Sequence, residues 1–281
     1  MLKQRIVTAL LLVGLLLLAL AQSSVWPFSL LTLLLIAAAG WEWGRLNQAG
    51  GSLAVVFAVL VAGAGLLVLR GSWAEEAPAQ VWWLAAVVWA VGGSLALRSG
   101  PAAWPRLPRG ARWAVGVLVL WAAWLALSNA RAIGINFLLS LLCLVWMADV
   151  AAYFGGRALG RRKLALAISP GKSWEGVWSG MVGVLLLSLL WIALDRNFAF
   201  DSASLYSRLQ ASLGWTGMAL ALLLLSAFSV VGDLIESLVK RAAGAKDSSR
   251  LLPGHGGVLD RVDALLPVMP VALALLSLGP R

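Results

Sequence analysis

Residues 212–232, SLGWTGMALALLLLSAFSVVG, form a predominantly apolar run that contains no charged residue. A helix needs about 20 apolar residues to cross the hydrocarbon core of a bilayer, and this run has that length. Lipid offers no hydrogen bonds to the backbone, so a chain that crosses it must be a helix or part of a closed barrel. The run shows no alternation of apolar and polar residues, and we therefore predict a membrane-spanning helix.

The rest of the chain repeats this pattern. Of the 281 residues, 61% are hydrophobic and 12% are charged, which is about half the charged fraction of a soluble domain. We predict an all-α, polytopic integral membrane protein with about nine transmembrane helices. The predicted segments are 6–21, 25–40, 52–69, 80–97, 112–128, 132–150, 176–194, 212–232 and 264–279.

The basic residues predict the orientation of these segments. With a cytoplasmic N-terminus, all but five of the 22 Lys and Arg residues fall on the cytoplasmic side, as the positive-inside rule requires. The five exceptions are Arg70, Arg131, Arg196, Arg208 and Arg281. We expect a multi-pass protein of the inner (plasma) membrane. The first segment also resembles a cleavable signal peptide that ends near Ala21, but a retained helix is favoured.

The net charge of +10 has a simple explanation in this topology. Most of the excess is the orientation signal itself and contact with anionic lipid headgroups. We therefore expect membrane lipids as partners and no nucleic acid. The 16 tryptophans, many of which lie near segment ends, are predicted to anchor the helices at the membrane interfaces. Examples are Trp26, Trp43, Trp73, Trp82, Trp83 and Trp104.

Polar residues concentrate in two predicted cytoplasmic loops, 149–176 and 233–263. Immediately after the run 212–232, four polar residues follow at i, i+3, i+4 and i+7, so they share one helical face. They are Asp233, Glu236, Ser237 and Lys240. An acid at a membrane helix end is costly unless it is paired or binds a cation. A salt-bridge stripe and a cation site are both open at this point.

A glycine-rich loop, PGHGG at residues 253–257, comes next. Such a backbone can approach a phosphate closely and turn its N–H groups toward it, although a flexible turn is the alternative. Asp260 and Asp263 then open the last apolar segment, where one acid could simply complement the helix dipole. Three carboxylates counting Asp233, beside several Lys and Arg residues, suit a hard cation such as Mg²⁺ with bound phosphate oxygens. One His and one distant Cys exclude a zinc cage.

The earlier loop carries Asp149, Arg157 and the stretch SPGKSWEG at residues 169–176. Lys172 and the small residues around it lie at the start of a predicted helix. Backbone N–H groups at a helix N-terminus, together with a lysine, are typical of a phosphate site.

Together these residues resemble a known family. The pattern S-x2-K-R-x4-K-D-x5-P-x-H-G-G-x2-D-R-x-D over residues 237–263 is similar to the signature of phosphatidate cytidylyltransferase, also called CDP-diacylglycerol synthase. Residues 149–157 and 169–176 are also similar to that family. Val150 and Ser173 replace the hydroxyl residue and the threonine more often seen there. The resemblance covers the C-terminal half, whereas the N-terminal half matches only in being hydrophobic.

The resemblance implies a reaction in which CTP and phosphatidic acid give CDP-diacylglycerol and pyrophosphate. The lipid phosphate is the nucleophile and is already anionic, so the site must supply charge neutralisation and positioning rather than a strong base. It also implies a divalent cation, Mg²⁺ or Mn²⁺, with room for a second cation, and a homodimer. Residues 1–130 are then N-terminal transmembrane helices and residues 131–281 the catalytic transmembrane region.

The resemblance also assigns roles to residues. The predicted catalytic residues are Asp233, Lys240, Arg241, Lys246, Asp260, Arg261 and Asp263, of which Asp233, Asp260 and Asp263 hold the metal. The predicted substrate-binding residues are Asp149, Ser169, Lys172, Glu175, Ser237, Asp247, His255, Gly256 and Gly257.

Two alternatives stay open. Another transferase that joins a nucleotide or sugar phosphate to a membrane lipid would share the metal and the basic loops. A transporter would instead place polar residues at the middle of the bilayer, along a pathway. The observed clustering at predicted helix ends disfavours the transporter.

Overall fold

The computed structural model of the protein describes the backbone of residues 2–279 and their side chains except those of residues 2–6 and 9. The side chains of Lys3, Arg5 and Arg281, which enter the orientation argument, lie outside this part. The helices are α1 (Leu2–Leu20), α2 (Trp26–Leu46), α3 (Gly51–Leu69), α4 (Ala79–Val87), α5 (Ser94–Ser99), α6 (Arg109–Ile133), α7 (Ile135–Leu159), α8 (Trp174–Asn197), α9 (Leu205–Ala242), α10 (Leu259–Val262) and α11 (Leu265–Leu276). The strands are β1 (Lys163–Ala165) and β2 (Ser169–Ser173).

The helical, polytopic character predicted from the sequence is confirmed. Each of the nine predicted segments is helical. A π-helical turn, Val88–Gly93, joins α4 and α5 into one helix that runs over residues 79–99. Among the described residues, seven helices are long and apolar enough to cross a membrane. They are α2, α3, the joined α4 and α5, α6, α7, α8 and α9. The number of nine crossings and the cytoplasmic N-terminus stay predictions.

The ninth segment is a central core helix. Helix α11 has 12 residues, about 18 Å at 1.5 Å per residue, which is short for a hydrocarbon core of about 30 Å. Every residue from Leu266 to Leu275 is buried, and α11 packs against α4, α6 and α9. Its apolar character therefore serves packing inside the bundle. A side chain at Gly232 of α9 would overlap the carbonyl oxygen of Asp263, so this approach requires glycine.

Helices α7 and α8 pack extensively against each other. A Cβ atom at Gly180 would lie 2.8 Å from the carbonyl oxygen of Ala148, so a small residue is needed at this crossing. The strands β1 and β2 form an antiparallel hairpin that connects the two helices. Helix α7 continues to Leu159, and the predicted loop 149–176 is thus helical in its first part. The polar residues Asp149, Tyr153 and Arg157 lie in this extension of α7 and share one face of the helix.

Three of the tryptophans predicted as interface anchors are buried, and for them that prediction is wrong. They are Trp43, Trp82 and Trp104. Two of them have polar partners inside the bundle, since the indole of Trp43 donates to the carbonyl of Arg112 at 2.9 Å and that of Trp104 to the amide oxygen of Asn47 at 2.8 Å. Trp26, Trp73 and Trp83 are exposed, as an anchor must be.

Candidate active site

A cavity of about 490 Å³ lies between α7, α8, α9 and the hairpin. Its charged side chains are Asp149 and Arg157 from α7, Lys172 from β2 and Asp233 from α9. Its other walls are mainly small and apolar; they include Ala148, Ala152, Gly176, Gly180, Met181 and Val230. We call this space the active-site cavity. It presents charged groups and an apolar wall to the same occupant, as binding of an amphiphile requires.

Lys172 forms an ion pair with Asp233 across this cavity. Ser237, one turn further along α9, donates to the other carboxylate oxygen of Asp233 at 3.4 Å. Ser169 also lines the cavity. The sequence placed Lys172 and Asp233 in separate loops, and the structure brings them together because β2 runs alongside α9.

Glu175 fixes the hairpin that carries Lys172. It lies in the first turn of α8, and its carboxylate accepts from the backbone N–H groups of Arg161 at 3.1 Å and Arg162 at 3.2 Å. Ser173 caps α8 by accepting from the N–H of Gly176 at 3.2 Å. Glu175 was predicted to bind substrate; the structure places it at the base of the hairpin, where it orients the strand.

Asp263 belongs electrostatically to the active-site cavity. Desolvation, followed by the negative charge of Asp233, raises the pKa of Asp263 from 3.8 to about 7. The charge of Asp149 acts in the same direction, and that of Lys172 opposes it. The charges of Asp233, Asp149 and Lys172 thus all act on Asp263, and carboxylate oxygens are the donors that Mg²⁺ or Mn²⁺ prefers. Within residues 2–279 as described, no three His, Cys, Asp or Glu side chains are arranged to hold a metal ion.

A second cluster surrounds Lys240. Its ammonium group lies 2.5 Å from Glu236 of α9 and 2.6 Å from Asp260 of α10. The other oxygen of Asp260 accepts from the N–H and hydroxyl of Ser248, at 3.0 and 2.9 Å, and from the N–H of Gly257 at 2.8 Å. Burial opposes the ionisation of Asp260, but the hydrogen bonds that it accepts outweigh burial and lower its pKa. Asp260 therefore has four donors from the protein itself.

Glu42 is a site residue that the sequence analysis missed. It lies in α2, is fully buried, and has four donors within hydrogen-bond distance, of which the Ser248 hydroxyl is shared with Asp260. Two come from the hydroxyls of Ser248 and Ser249, at 3.2 and 2.5 Å, and two from the N–H groups of Val258 and Leu259, at 3.0 and 2.7 Å. The available signal was an acid just beyond the predicted segment 25–40, since an acid at the end of a membrane helix needs partners.

Tyr153 and Arg157 belong to the stretch 149–157 that resembles the family, but the sequence analysis gave them no site role. Asp149, Tyr153 and Arg157 follow each other at i and i+4, and all three line the active-site cavity. Ending the helix at residue 150 hid this face. Had α7 been continued, the spacing would have predicted it.

The remaining predicted residues lie around the two clusters. Arg241 donates to the carbonyl of Ile168 in the hairpin at 3.4 Å, and Arg261 donates to the carbonyl of His255 at 2.9 Å. Lys246 and Asp247 line a separate surface cavity of about 560 Å³. The N–H of Gly257 is bound to Asp260, and Gly256 has a positive φ of 83°. The predicted contact of the loop 254–257 with phosphate stays a prediction.

The comparisons with known proteins agree with this geometry. A model of the "Cytidylyltransferase family" matches residues 3–278. The chain is 39% identical to the phosphatidate cytidylyltransferase of Pseudomonas aeruginosa over 98% of its own length and 97% of the relative. It is 46% identical to that of Haemophilus influenzae over 49% of this chain and 44% of the relative. It is 37% identical to the phosphatidate cytidylyltransferase of Bacillus subtilis over 53% of this chain and 51% of the relative. This chain, with its charged cavity in a helical bundle, belongs to the cytidylyltransferase family.

Proposed function

We propose that this chain transfers a cytidylyl group from CTP to phosphatidate, which yields CDP-diacylglycerol and pyrophosphate and serves phospholipid biosynthesis. Family membership and the printed names of the relatives support this reaction. The observation that carries the proposal is the active-site cavity, which combines Arg157, Lys172 and acidic groups with an apolar wall. Such a cavity suits a lipid whose headgroup is a phosphate.

In the proposed reaction, an oxygen of the phosphatidate phosphate attacks the α-phosphorus of CTP. A new P–O bond forms, and the bond from the α-phosphorus to the oxygen that bridges it to the β-phosphate breaks. That oxygen leaves with pyrophosphate. Because the nucleophile is already an anion, no side chain has to remove a proton. Lys172 and Arg157 neutralise and orient the lipid phosphate, and this positioning supplies much of the acceleration.

Basic residues at the rim of the cavity bind the triphosphate of CTP. Arg241 supports this, because its contact with Ile168 places it beside the hairpin that carries Lys172. Lys246 and Arg261 are exposed and therefore accessible to a water-soluble nucleotide. His255 and Asp247 complete the proposed nucleotide-binding surface.

The proposed Mg²⁺ or Mn²⁺ ion binds Asp233 and Asp263, with Asp149 beside them. The carboxylates of Asp149 and Asp233, which line the cavity, support the assignment because Mg²⁺ prefers oxygen ligands. A bound divalent cation would neutralise phosphate charge. Asp260, which the sequence also assigned to the metal, already binds Lys240 and the segment 248–257 through its two carboxylate oxygens. A second cation stays a prediction.

We also propose that the protein lies in the inner (plasma) membrane, that the active site faces the cytoplasm, and that the chain forms a homodimer. The distribution of Lys and Arg supports the orientation, and the family resemblance supports the dimer. CTP would then enter from the cytoplasm while phosphatidate enters from the bilayer.

The direct test is an assay of the purified full chain in detergent with phosphatidate, labelled CTP and Mg²⁺. We expect a CDP-lipid product that disappears when a chelator is added. Asp233→Asn should lower the rate by a factor on the order of 100 or more, whereas Glu76→Gln, an exposed acid at the other end of the bundle, should leave it unchanged. A folded wild-type sample without CDP-lipid product would overturn the proposal.

A further inference from the structure

A second cavity, of about 360 Å³, lies on the other side of α9. It is bounded by α2, by the joined helix of α4 and α5, by α6 and by α9, and we call it the tryptophan cavity. Its walls are almost entirely apolar and include Trp43, Trp89, Trp104, Val115, Val119 and Ile235. Asp233 lines the active-site cavity, and Ile235, two residues further along the same helix, lines the tryptophan cavity. Two residues turn a helix by about 200°, so the cavities flank opposite faces of α9.

The charged residue among those that line this cavity is Arg112, which is only 3% exposed. Its guanidinium makes one long hydrogen bond, 3.4 Å to the neutral amide oxygen of Asn47, and its Nε has no partner. No carboxylate pairs with it among the residues that the structure describes. A buried cation without a counter-charge is costly. This cost would be removed by an anion bound in the cavity.

The other buried arginine of the bundle shows the contrast. Arg131, 7% exposed, donates to the carbonyl oxygens of Gln22 at 2.7 Å and Leu20 at 3.3 Å. These are carbonyls at and just beyond the C-terminus of α1, where the helix dipole favours a cation. Arg112 instead lies in the first turn of α6, where the dipole favours an anion. Both arginines have a buried Nε without a partner. They differ in that Arg131 donates two hydrogen bonds to carbonyl oxygens near a helix C-terminus, whereas Arg112 makes one long hydrogen bond near a helix N-terminus.

A further buried donor lies in the same cavity. Trp89, from the π-helical turn, is 5% exposed, and its indole N–H has no hydrogen-bond partner. Arg112 and Trp89 thus both line one cavity whose other walls are mainly apolar, and each has one buried N–H group without a partner. This combination calls for a ligand with an anionic, hydrogen-bond-accepting head and an apolar body.

We propose that the tryptophan cavity binds an anionic phospholipid of the bilayer that is not the substrate. The phosphate of the lipid accepts from Arg112 and Trp89, and an acyl chain lies along the tryptophan and valine walls. The volume is within the range of about 300–1,000 Å³ that is usual for small-molecule pockets. A soluble anion would leave the apolar walls without a partner, whereas anionic lipids are abundant at the cytoplasmic leaflet to which this end is assigned.

The position of the site gives it a role. The lipid would pack against α9 one turn or less from Asp233, so its binding would hold the segment of α9 that carries the active-site acid. We infer that the conformation of this segment depends on the anionic lipid content of the membrane. The binding itself does not rest on the proposed reaction, and it can be measured without any turnover.

The test is thermal unfolding of the purified full chain in detergent with added dioleoylphosphatidylglycerol or dioleoylphosphatidylcholine. We expect the phosphatidylglycerol to raise Tm by about 3 °C or more relative to phosphatidylcholine. Arg112→Gln should abolish this difference. Arg109→Gln is the matched control, because Arg109 lies one turn earlier in α6 and is exposed, and this variant should retain the difference.

A second variant keeps the proposal testable if Arg112→Gln fails to fold. Gly92 lines the cavity, and a Cβ atom there would meet nothing within 4 Å. Gly92→Leu should therefore fold, occupy the cavity and abolish the effect of phosphatidylglycerol. Equal stabilisation by both lipids, or an undiminished difference in Gly92→Leu, would overturn the proposal. So would stabilisation by inorganic phosphate equal to that by phosphatidylglycerol, or stabilisation by phosphatidate alone, which would make the cavity a substrate site.

Discussion

Lys240 bridges two carboxylates that come from different helices, Glu236 on α9 and Asp260 on α10. The lysine and both acids are largely removed from solvent, so each charge depends on the others. Asp260 also binds the backbone N–H groups of Ser248 and Gly257. At the scale of single residues, this carboxylate is a junction that holds the segment 248–257 against α9.

This role predicts a dependence of stability on pH. The pKa of Asp260 in the folded protein lies below its ordinary value of 3.8. Its ionised form therefore stabilises the fold fully above about pH 4, and this contribution is lost as the pH falls below that value. We expect the Tm of the wild type to fall between pH 5 and 3 more steeply than the Tm of Asp260→Asn, which should already be lower at pH 7.

Thermal unfolding in detergent across this range measures the effect. Asp247→Asn is the matched control, since Asp247 is exposed and lies in the same segment; its profile should follow the wild type. If Asp260→Asn and the wild type lost stability in parallel as the pH fell, the assigned role of Asp260 would be wrong.

At the scale of elements, Glu42 joins the two halves of the chain. It lies in α2, one of the N-terminal helices, and its carboxylate accepts hydrogen bonds from the backbone at the start of α10. The sequence analysis treated the N-terminal half as hydrophobic support. The structure shows that one acid from that half holds the backbone of the signature segment at residues 258–259.

Glu42→Gln should destabilise the protein by about 3 kcal/mol, because an amide cannot accept all four hydrogen bonds and leaves buried N–H groups without partners. The activity should fall with it, as the signature segment loses its anchor. Chemical or thermal unfolding of the purified variant measures the first effect. Glu75→Gln, a change of an exposed acid at the opposite end of the bundle, is the control, and equal stability of the two variants would contradict the assignment.

Prediction from the sequence succeeded where the signal is local. The positions of the nine apolar segments and the shared face of Asp233, Glu236 and Lys240 follow from length and helical period. Prediction from the sequence failed for contacts and burial that depend on how the helices pack. The pairing of Lys172 with Asp233 joins residues 61 positions apart, and only the fold of the hairpin brings them together. Burial of α11 likewise depends on its neighbours, because an apolar helix can face either lipid or protein.

At the scale of the whole molecule, the polar clusters lie at one end of the bundle. The C-terminal ends of α2, α7 and α9 and the N-terminal end of α8 meet there, around the hairpin and the signature segment. The other end contains its own network, in which Asp201 accepts from the N-terminus of α7 and Asp195 from Ser204 and Ser207. The excess of Lys and Arg at the first end predicts that it faces the cytoplasm.

Labelling with a membrane-impermeant maleimide tests this orientation. Cys143 is the single cysteine, so Cys143→Ser supplies a background without thiols. We expect Ser72→Cys, in the connection between α3 and α4, to be labelled in intact spheroplasts. Arg106→Cys, in the connection between α5 and α6, should be labelled only after the membrane is opened. The reverse pattern would refute the predicted topology.

The burial of α11 has a consequence for biosynthesis. The ribosome makes α2 to α9 first, so these helices enter the membrane before the element that they surround has been synthesised. Until residues 265–276 emerge, α4, α6 and α9 lack the partner against which they pack, and Gly232 lacks its contact with Asp263. The packing of α4, α6 and α9 around α11, and with it the approach of Asp263 to α9, can therefore be completed only after the last apolar helix has been synthesised.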